Sequence, residues 1–104
     1  MNSVLFVCSQ NKMRSPTAEH VARLKGLSAD SAGTDPNAVR HLTAEMVDNA
    51  ENVVCFEWSH YEKVVELRPS RAKDVLMWNM PDEYDYCDPL LVRMLERLIE
   101  NVLC

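Results

Sequence analysis

The feature that most constrains the fold is a short stretch near the amino terminus. A continuous apolar run over residues 4–7 ends at Cys8, and Arg14 follows six positions later. An uninterrupted apolar run predicts a strand buried on both faces, which is typical of a parallel sheet. Ser15 followed by Pro16 predicts the start of a helix, with the serine as its N-cap. The sequence therefore predicts that Cys8 and Arg14 close a loop between a strand and a helix.

This loop has the composition of an anion-binding cradle. Cysteine supplies a nucleophilic thiolate, and the planar guanidinium of arginine binds phosphate through two hydrogen bonds. The positive end of the following helix stabilises an anion at the same place. The phosphate-binding N–H groups are expected to come from Ser9, Gln10, Asn11, Lys12, Met13, Arg14 and Ser15. Asn11 is suited to the left-handed backbone that a tight loop requires.

A thiolate in such a loop points to phosphoryl chemistry. A lone cysteine at a strand end is usually a small buried core residue, but an arginine six residues later favours a functional interpretation. We expect Cys8 to attack a phosphorus atom and form a phosphocysteine. Ser15 is expected to donate a hydrogen bond to the sulfur, which makes it a better leaving group afterwards.

The rest of the chain alternates predicted strands and helices. Strands are predicted over residues 27–32, 53–56 and 74–78, and helices over residues 15–25, 42–50 and 59–67. Gly26 is expected to end the first of these helices. In the third, Ser59 and Glu62 form a predicted capping box. Alternation of this kind predicts parallel βαβ units in one three-layer α/β domain over residues 1–104.

The last helix has the clearest pattern. Asp88 is its predicted N-cap and Pro89 its first residue. An apolar stripe recurs along it at helical spacing, formed by Leu90, Leu91, Met94, Leu95, Leu98 and Val102. This face is expected to pack on the sheet.

A general acid is expected in the acidic segment that follows the third predicted apolar strand. Ligands of parallel sheets bind beyond the carboxyl ends of the strands, so this segment and Cys8 are expected at the same edge. Cleavage of a phosphate ester needs a proton donor and then a base, and one carboxyl group can do both. Asp82, Glu83 and Asp85 are all candidates on composition, and Tyr84 is a candidate wall for an aromatic leaving group.

Composition limits the partners. The 104 residues carry a formal net charge of −5, which argues against nucleic acid or an anionic membrane. No secretory signal or membrane-spanning stretch is apparent. The four cysteines are scattered and have no metal-ligand spacing with the three histidines, so neither a metal nor a cofactor is expected. Free thiols favour a reducing, cytoplasmic setting. His20 and His60 are expected on the surfaces of helices.

Residues 8–16, Cys-Ser-Gln-Asn-Lys-Met-Arg-Ser-Pro, resemble the C-x-x-N-x-x-R-S-P signature of the low-molecular-weight protein tyrosine phosphatases. Residues 31–34 are similar to the S-A-G-T of that family, residues 54–60 to its strand leading into a short helix, and residues 80–84 to its P-D-P-Y acid loop. The segments occur in the family's order and cover most of the chain.

The resemblance implies a four-stranded parallel sheet flanked by helices, of phosphatase I type, and a two-step mechanism without metal. Cys8 would be the nucleophile, Arg14 the phosphate clamp and Asp82 the acid and then the base. Asn11 would hold the loop, and Ser15 would assist the thiolate. The implied substrate is a protein phosphotyrosine or a small aryl phosphate. Asp82 is thereby favoured over Glu83 and Asp85.

The chain also departs from that family at the site. Gln10 stands where a glycine is usual, Met13 where many members carry a second cysteine, and Glu83 where a proline is usual. The segment after Thr34, which in the family helps to wall the pocket, is shorter. Lys12 occupies the variable position at the pocket lip, where a cation should favour acidic substrate flanks and disfavour a phosphorylated guanidinium.

Two other functions remain open at this point. Arsenate reductases share the fold and loop but need further cysteines to pass on a disulfide, and Cys55 is the candidate. A catalytically weak phosphate-binding module with a regulatory role is the second alternative, motivated by Gln10 and the short chain. A phosphocarrier of sugar transport also uses a cysteine loop, but it has no need of Arg14.

Overall fold

The sheet of the protein is formed by four parallel strands. The computed structural model describes residues 3–81 and 83–103. The strands are β1 (Ser3–Cys8), β2 (Ser28–Gly33), β3 (Asn52–Cys55) and β4 (Val75–Met77), in the order β2-β1-β3-β4. The predicted four-stranded parallel sheet is confirmed. Because β1 lies between β2 and β3, it is covered on both faces, which explains its uninterrupted apolar sequence.

Helices cover both faces of this sheet. They are α1 (Arg14–Leu24), α2 (Ala44–Asn49), α3 (Trp58–Leu67) and α4 (Pro89–Leu98); a 3₁₀ helix, Pro69–Asp74, leads into β4, and a π-helical turn, Ile99–Leu103, extends α4. Phe6 of β1 packs in the core on the side of α1 and α4, whereas Val7 packs in the core on the side of α2 and α3. Side chains of alternate residues in β1 thus pack on opposite faces of the sheet. The predicted three-layer arrangement is confirmed.

The end of α1 follows the prediction, but its start does not. Gly26 has a φ of 85°, and the N–H of Leu27 donates to the carbonyl of Ala22 at 3.0 Å, which is a Schellman ending. The helix begins at Arg14, with Met13 at the N-cap position and no side-chain cap. Ser15 therefore lies inside the first turn and is not the cap, so its hydroxyl is available to the loop.

The start of α3 also differs from the prediction. Glu57, and not Ser59, is the N-cap. The N–H of Glu57 donates to Nδ1 of His60 at 3.1 Å. His60 is fully buried, so the expectation that it lies on the surface is wrong. Its ring packs inward because it closes the backbone turn between β3 and α3.

The buried face of α4 is narrower than its sequence pattern indicates. Leu91 and Leu95 are buried, and Ile99 and Leu103 continue the same face along the π-helical turn. Leu90 and Val102, which the prediction placed in the stripe, are 62% and 47% exposed. Residues spaced by four positions meet the sheet, while those two lie about 100° away around the axis.

Candidate active site

The cradle, residues 8–15, follows β1 directly. The N–H of Asn11 donates to Sγ of Cys8 at 3.2 Å, and Oγ of Ser15 lies 2.8 Å from the same sulfur. Cys8 is 3% exposed, yet it lines a small cavity of about 30 Å³ together with Gln10, Lys12, Met13 and Arg14. The loop therefore turns back on the cysteine and leaves it at the wall of this small cavity.

Hydrogen bonds from Asn11 fix the direction in which Ser15 donates. Asn11 has a φ of 57°, as predicted for a left-handed residue. Its Nδ2 donates to Oγ of Ser15 and to Oγ of Ser31, each at 2.9 Å. Because both hydroxyl oxygens accept from the amide, each serine must direct its own hydrogen elsewhere. Ser31 donates to Glu19 at 2.8 Å.

The hydrogen of Ser15 has two acceptors within reach. Sγ of Cys8 is 2.8 Å from Oγ, and the carbonyl of Ala32 is 3.5 Å away. The shorter distance favours the sulfur. A hydroxyl that donates to sulfur stabilises the thiolate over the thiol, which is the state that a nucleophile needs.

The outer side of the cradle rests on the segment after β2. Backbone N–H groups of that segment donate to three successive cradle carbonyls, at 2.9 to 3.2 Å: Thr34 to Cys8, Asp35 to Ser9 and Val39 to Gln10. Gly33 makes this approach possible, because a Cβ there would lie 2.6 Å from the carbonyl oxygen of Ser9 and 3.0 Å from the nitrogen of Asn11. The segment after β2 thus supports the cradle, and Gln10 takes part through its backbone while remaining exposed.

The guanidinium of Arg14 connects the cradle to the segments that follow β3 and β4. It is 1% exposed. Nη2 donates to Oε2 of Glu57 at 2.8 Å, and Nη1 donates to the carbonyl of Met80 at 2.9 Å. A buried guanidinium is costly unless it is paired, and these two partners also fix the orientation of its plane beside Cys8.

Comparison with known proteins now identifies the family. The model of the family described as low molecular weight phosphotyrosine protein phosphatase matches residues 3–101. The chain belongs to this family. It is 29% identical to the low molecular weight protein-tyrosine-phosphatase Etp of Escherichia coli K12 over 114 aligned positions, which cover 85% of this chain and 77% of Etp.

Solved structures of phosphatases share the fold. The arginine phosphatase YwlE of Geobacillus stearothermophilus aligns with a TM-score of 0.80 at 21% identity, covering 99% of this chain and 91% of that one. The tyrosine phosphatase AmsI of Erwinia amylovora aligns at 0.77 and 22% identity, covering 98% and 93%. The tyrosine phosphatase Wzb of Escherichia coli K30, solved with phosphate, aligns at 0.75 and 20%, covering 96% and 94%.

The predicted site residues of this phosphatase do not all lie in the cradle. Lys12 is exposed and Met13 half-buried at the cavity. Tyr84 is half-buried and packs against the core on the side of α1 and α4, and its role as a pocket wall stays a prediction. Asp82 lies outside the described residues. Its rivals Glu83 and Asp85 are exposed.

Sequence reasoning missed four residues that hold the cradle. Glu19 and Ser31 terminate the hydrogen-bond chain from Asn11, Glu57 pairs with Arg14, and His60 approaches Ser9. Ser31 carried a signal, because it belongs to the S-A-G-T segment that follows the family. Glu19 and Ser15 are one helical turn apart on α1, but nothing local indicates the partner of either.

Neither of the other described cysteines lines the cavity at Cys8. Cys55 lies on β3 and is fully buried, and burial raises the pKa of its thiol to about 12. Cys87 is half-buried, and its N–H donates to Oγ1 of Thr17 at 2.9 Å. Over residues 3–81 and 83–103, no three His, Cys, Asp or Glu side chains are grouped so as to hold a metal ion. No helix in those ranges is long and apolar enough to cross a membrane.

Proposed function

We propose that this phosphatase hydrolyses phosphate monoesters through a phosphocysteine on Cys8, with protein phosphotyrosine as its preferred substrate. In the first step the thiolate attacks phosphorus, the S–P bond forms, and the ester P–O bond breaks as Asp82 protonates the leaving oxygen. In the second step Asp82 accepts a proton from water, the water oxygen attacks phosphorus, and Cys8 leaves as a thiolate. Arg14 and the cradle N–H groups stabilise the charge on phosphoryl oxygens in both steps.

The observation that carries this proposal is the surroundings of the Cys8 sulfur. It accepts hydrogen bonds from the N–H of Asn11 and from Ser15, and Arg14 stands at the same cavity. These donors stabilise a thiolate before attack and stabilise it again as the leaving group. The residues suffice for this chemistry without a metal or cofactor.

The proposed role of Asp82 as general acid rests on the residues that flank it in the sequence. Met80, two residues earlier, accepts a hydrogen bond from Arg14 through its carbonyl, so the acid-bearing segment begins at the cradle. The match to the P-D-P-Y segment of the family supports Asp82 over Glu83 and Asp85. A reducing compartment keeps a nucleophilic thiol free, which supports a cytoplasmic location.

Capture of the intermediate tests the reaction. Rapid denaturation at alkaline pH during turnover of an aryl phosphate should trap phosphate on Cys8, detectable by mass spectrometry of the peptide that contains it. Cys8→Ser should abolish both trapping and turnover, whereas Cys55→Ser, the matched control, should retain them. A wild-type protein that binds vanadate but hydrolyses no aryl phosphate at mildly acidic pH would instead establish the phosphate-binding module.

Substrate class is tested at Lys12. Its exposed ammonium at the cavity should attract acidic residues flanking a phosphotyrosine and repel the cationic guanidinium of a phosphoarginine. We expect kcat/KM to be higher for a phosphotyrosine peptide with acidic flanks than for phosphoarginine, and the gap to narrow in Lys12→Ala. If the ratio of the two kcat/KM values were the same in the wild-type protein and in Lys12→Ala, Lys12 would not contribute to substrate selection.

Arsenate reduction is the second candidate, because the family loop binds oxyanions. It needs a second thiolate near Cys8. The high pKa and complete burial of Cys55 keep it protonated and inaccessible, which disfavours this reaction. Thiol-dependent arsenate turnover that disappears in Cys55→Ser would reverse that conclusion.

A further inference from the structure

His60 lies beside the cradle although it belongs to α3, more than 40 residues further along the chain. Its imidazole is fully buried. Nδ1 is 3.3 Å from the backbone nitrogen of Phe56 and 3.1 Å from that of Glu57. Nε2 is 3.0 Å from Oγ of Ser9, the residue directly after the nucleophile.

These contacts settle where the ring carries its proton. Both backbone nitrogens are donors, so Nδ1 must accept and carries no hydrogen. The neutral ring therefore has its proton on Nε2 and donates it to Oγ of Ser9. Oε2 of Glu57 lies 3.5 Å from Nε2 and favours a proton on the same atom.

Ser9 is consequently held by segments that follow the two strands flanking β1. Its carbonyl accepts from the N–H of Asp35 at 2.9 Å on the side of β2. Its hydroxyl accepts from His60 on the side of β3. The peptide group that joins Ser9 to Gln10 is thereby fixed within the cradle, and small displacements of such groups are costly at a reacting centre.

We propose that His60 is a positioning residue of the cradle, which fixes Ser9 through Nε2–H and so presets the oxyanion site around Cys8. This inference rests on the proposed function. It assigns His60 no proton transfer to substrate. It predicts that loss of the single Nε2–H donor loosens the cradle even when the turn before α3 stays closed.

Two substitutions of His60 separate the roles of its two ring nitrogens. The amide oxygen of His60→Asn can replace Nδ1 as an acceptor but leaves no donor that reaches Ser9. The amide nitrogen of His60→Gln can replace Nε2 as the donor and loses the acceptor. Ser9→Ala removes the other partner without disturbing α3. Ser59→Ala, an exposed residue of the same helical turn, is the matched control.

The measurements are inorganic phosphate affinity, aryl phosphate kinetics, thermal unfolding and the nitrogen NMR shifts of the His60 ring. We expect His60→Asn and Ser9→Ala each to weaken phosphate binding and kcat/KM by about tenfold, with no further loss in the double variant. His60→Gln should retain more activity than His60→Asn although it unfolds at a lower temperature. The wild-type ring should show the neutral Nε2–H form.

Several outcomes would overturn the inference. These are an unchanged phosphate affinity in Ser9→Ala, additive losses in the double variant, equal losses in His60→Asn and His60→Gln, or an Nδ1–H ring. Failure of the proposed function looks different, because the wild-type protein would then bind phosphate without turnover. The phosphate affinities and the ring shifts would still decide the role of His60.

Discussion

Two segments meet at the carboxyl edge of the sheet, and they are held in different ways. In the cradle, Asn11, Arg14 and Ser15 are buried, and their side chains contact groups that follow or belong to β2, β3, β4 and α1. In the segment after β4, residues 79–88, most side chains are exposed where described. That segment is tied mainly through its backbone, as by the N–H of Met80 to the carbonyl of Phe56 at 3.2 Å.

The difference separates two ways of building a catalytic group into a small fold. Polar side chains of the cradle are part of the protein interior, so their chemistry and the stability of the fold depend on the same hydrogen bonds. Most described side chains of the segment after β4 face solvent, and exposed side chains can be changed with little cost in folding. Substitutions in the first region should lower both activity and stability, and those in the second should lower activity alone.

Arg14→Lys should have the largest effect. A lysine keeps the charge but cannot form the planar pair of bonds to phosphate, so kcat/KM should fall by about 10³-fold. Loss of the bonds to Glu57 and Met80 should also lower the free energy of unfolding by about 2 kcal/mol. Aryl phosphate kinetics and urea unfolding test both, with Arg40→Lys as an exposed arginine control. An unchanged free energy of unfolding would contradict the view that the cradle side chains also stabilise the fold.

Asp82→Asn tests the other segment. As general acid, Asp82 should contribute about 10² to 10³-fold in rate when the leaving group is poor, and much less when it is good. The free energy of unfolding should change by less than about 0.5 kcal/mol. Kinetics over a series of aryl phosphates give the leaving-group dependence, and Asp85→Asn is the control. Equal slowing across the series would exclude Asp82 as the acid.

Substitutions at Asn11 separate the effect of its backbone conformation from the effect of its side-chain hydrogen bonds. Asn11→Gly and Asn11→Ala both lose the bonds to Ser15 and Ser31, but only alanine is strained at a φ of 57°. Alanine should therefore be less stable than glycine by about 1 to 2 kcal/mol. Both variants should lose activity to a similar extent, because Ser15 is no longer oriented toward sulfur. A fully active glycine variant would show that the hydrogen-bond chain is dispensable.

The smallest effect on activity is expected from Cys55, which lies on the strand beside the cradle and is predicted to act on stability alone. Its pKa is about 12 in the folded protein and about 8.5 unfolded. Above pH 8.5 the unfolded chain loses this proton while the folded chain keeps it. Stability should therefore fall as pH rises toward 12, by at most about 1.4 kcal/mol per pH unit.

Urea unfolding at several pH values measures that slope, and Cys55→Val should make it shallower. The same burial predicts that an alkylating reagent modifies Cys8 before Cys55 in the native protein. Rapid alkylation of Cys55 would show that the layer behind the cradle opens as readily as the exposed segment after β4.

Much of this arrangement was readable from local sequence. The apolar run of β1, the left-handed Asn11 and the helix end at Gly26 each depend on a few neighbouring residues, and the predictions for them are confirmed. Family resemblance supplied the four-stranded topology. The same resemblance supplied Asp82, which stays a prediction.

What could not be predicted depends on contacts between distant segments. The pattern at Ser15 fits an N-cap equally well, and only its approach to Cys8 and Asn11 shows another use. His60 has the local sequence of a surface helix residue, but its ring contacts both the turn at Glu57 and Ser9, which is 51 positions away, and these contacts account for its burial. Leu90 and Val102 satisfy helical spacing, and only the position of the sheet decides that they are exposed.

The close approach at Gly33 has a consequence for motion. Because there is no room for a side chain between Gly33 and the cradle, the hydrogen bonds that join the two segments should break in a single opening event. The amides of Thr34, Asp35 and Val39 donate to cradle carbonyls, so they face away from the anion site. They should nevertheless share one opening event, and hydrogen exchange at all three should slow together when phosphate fills the cradle.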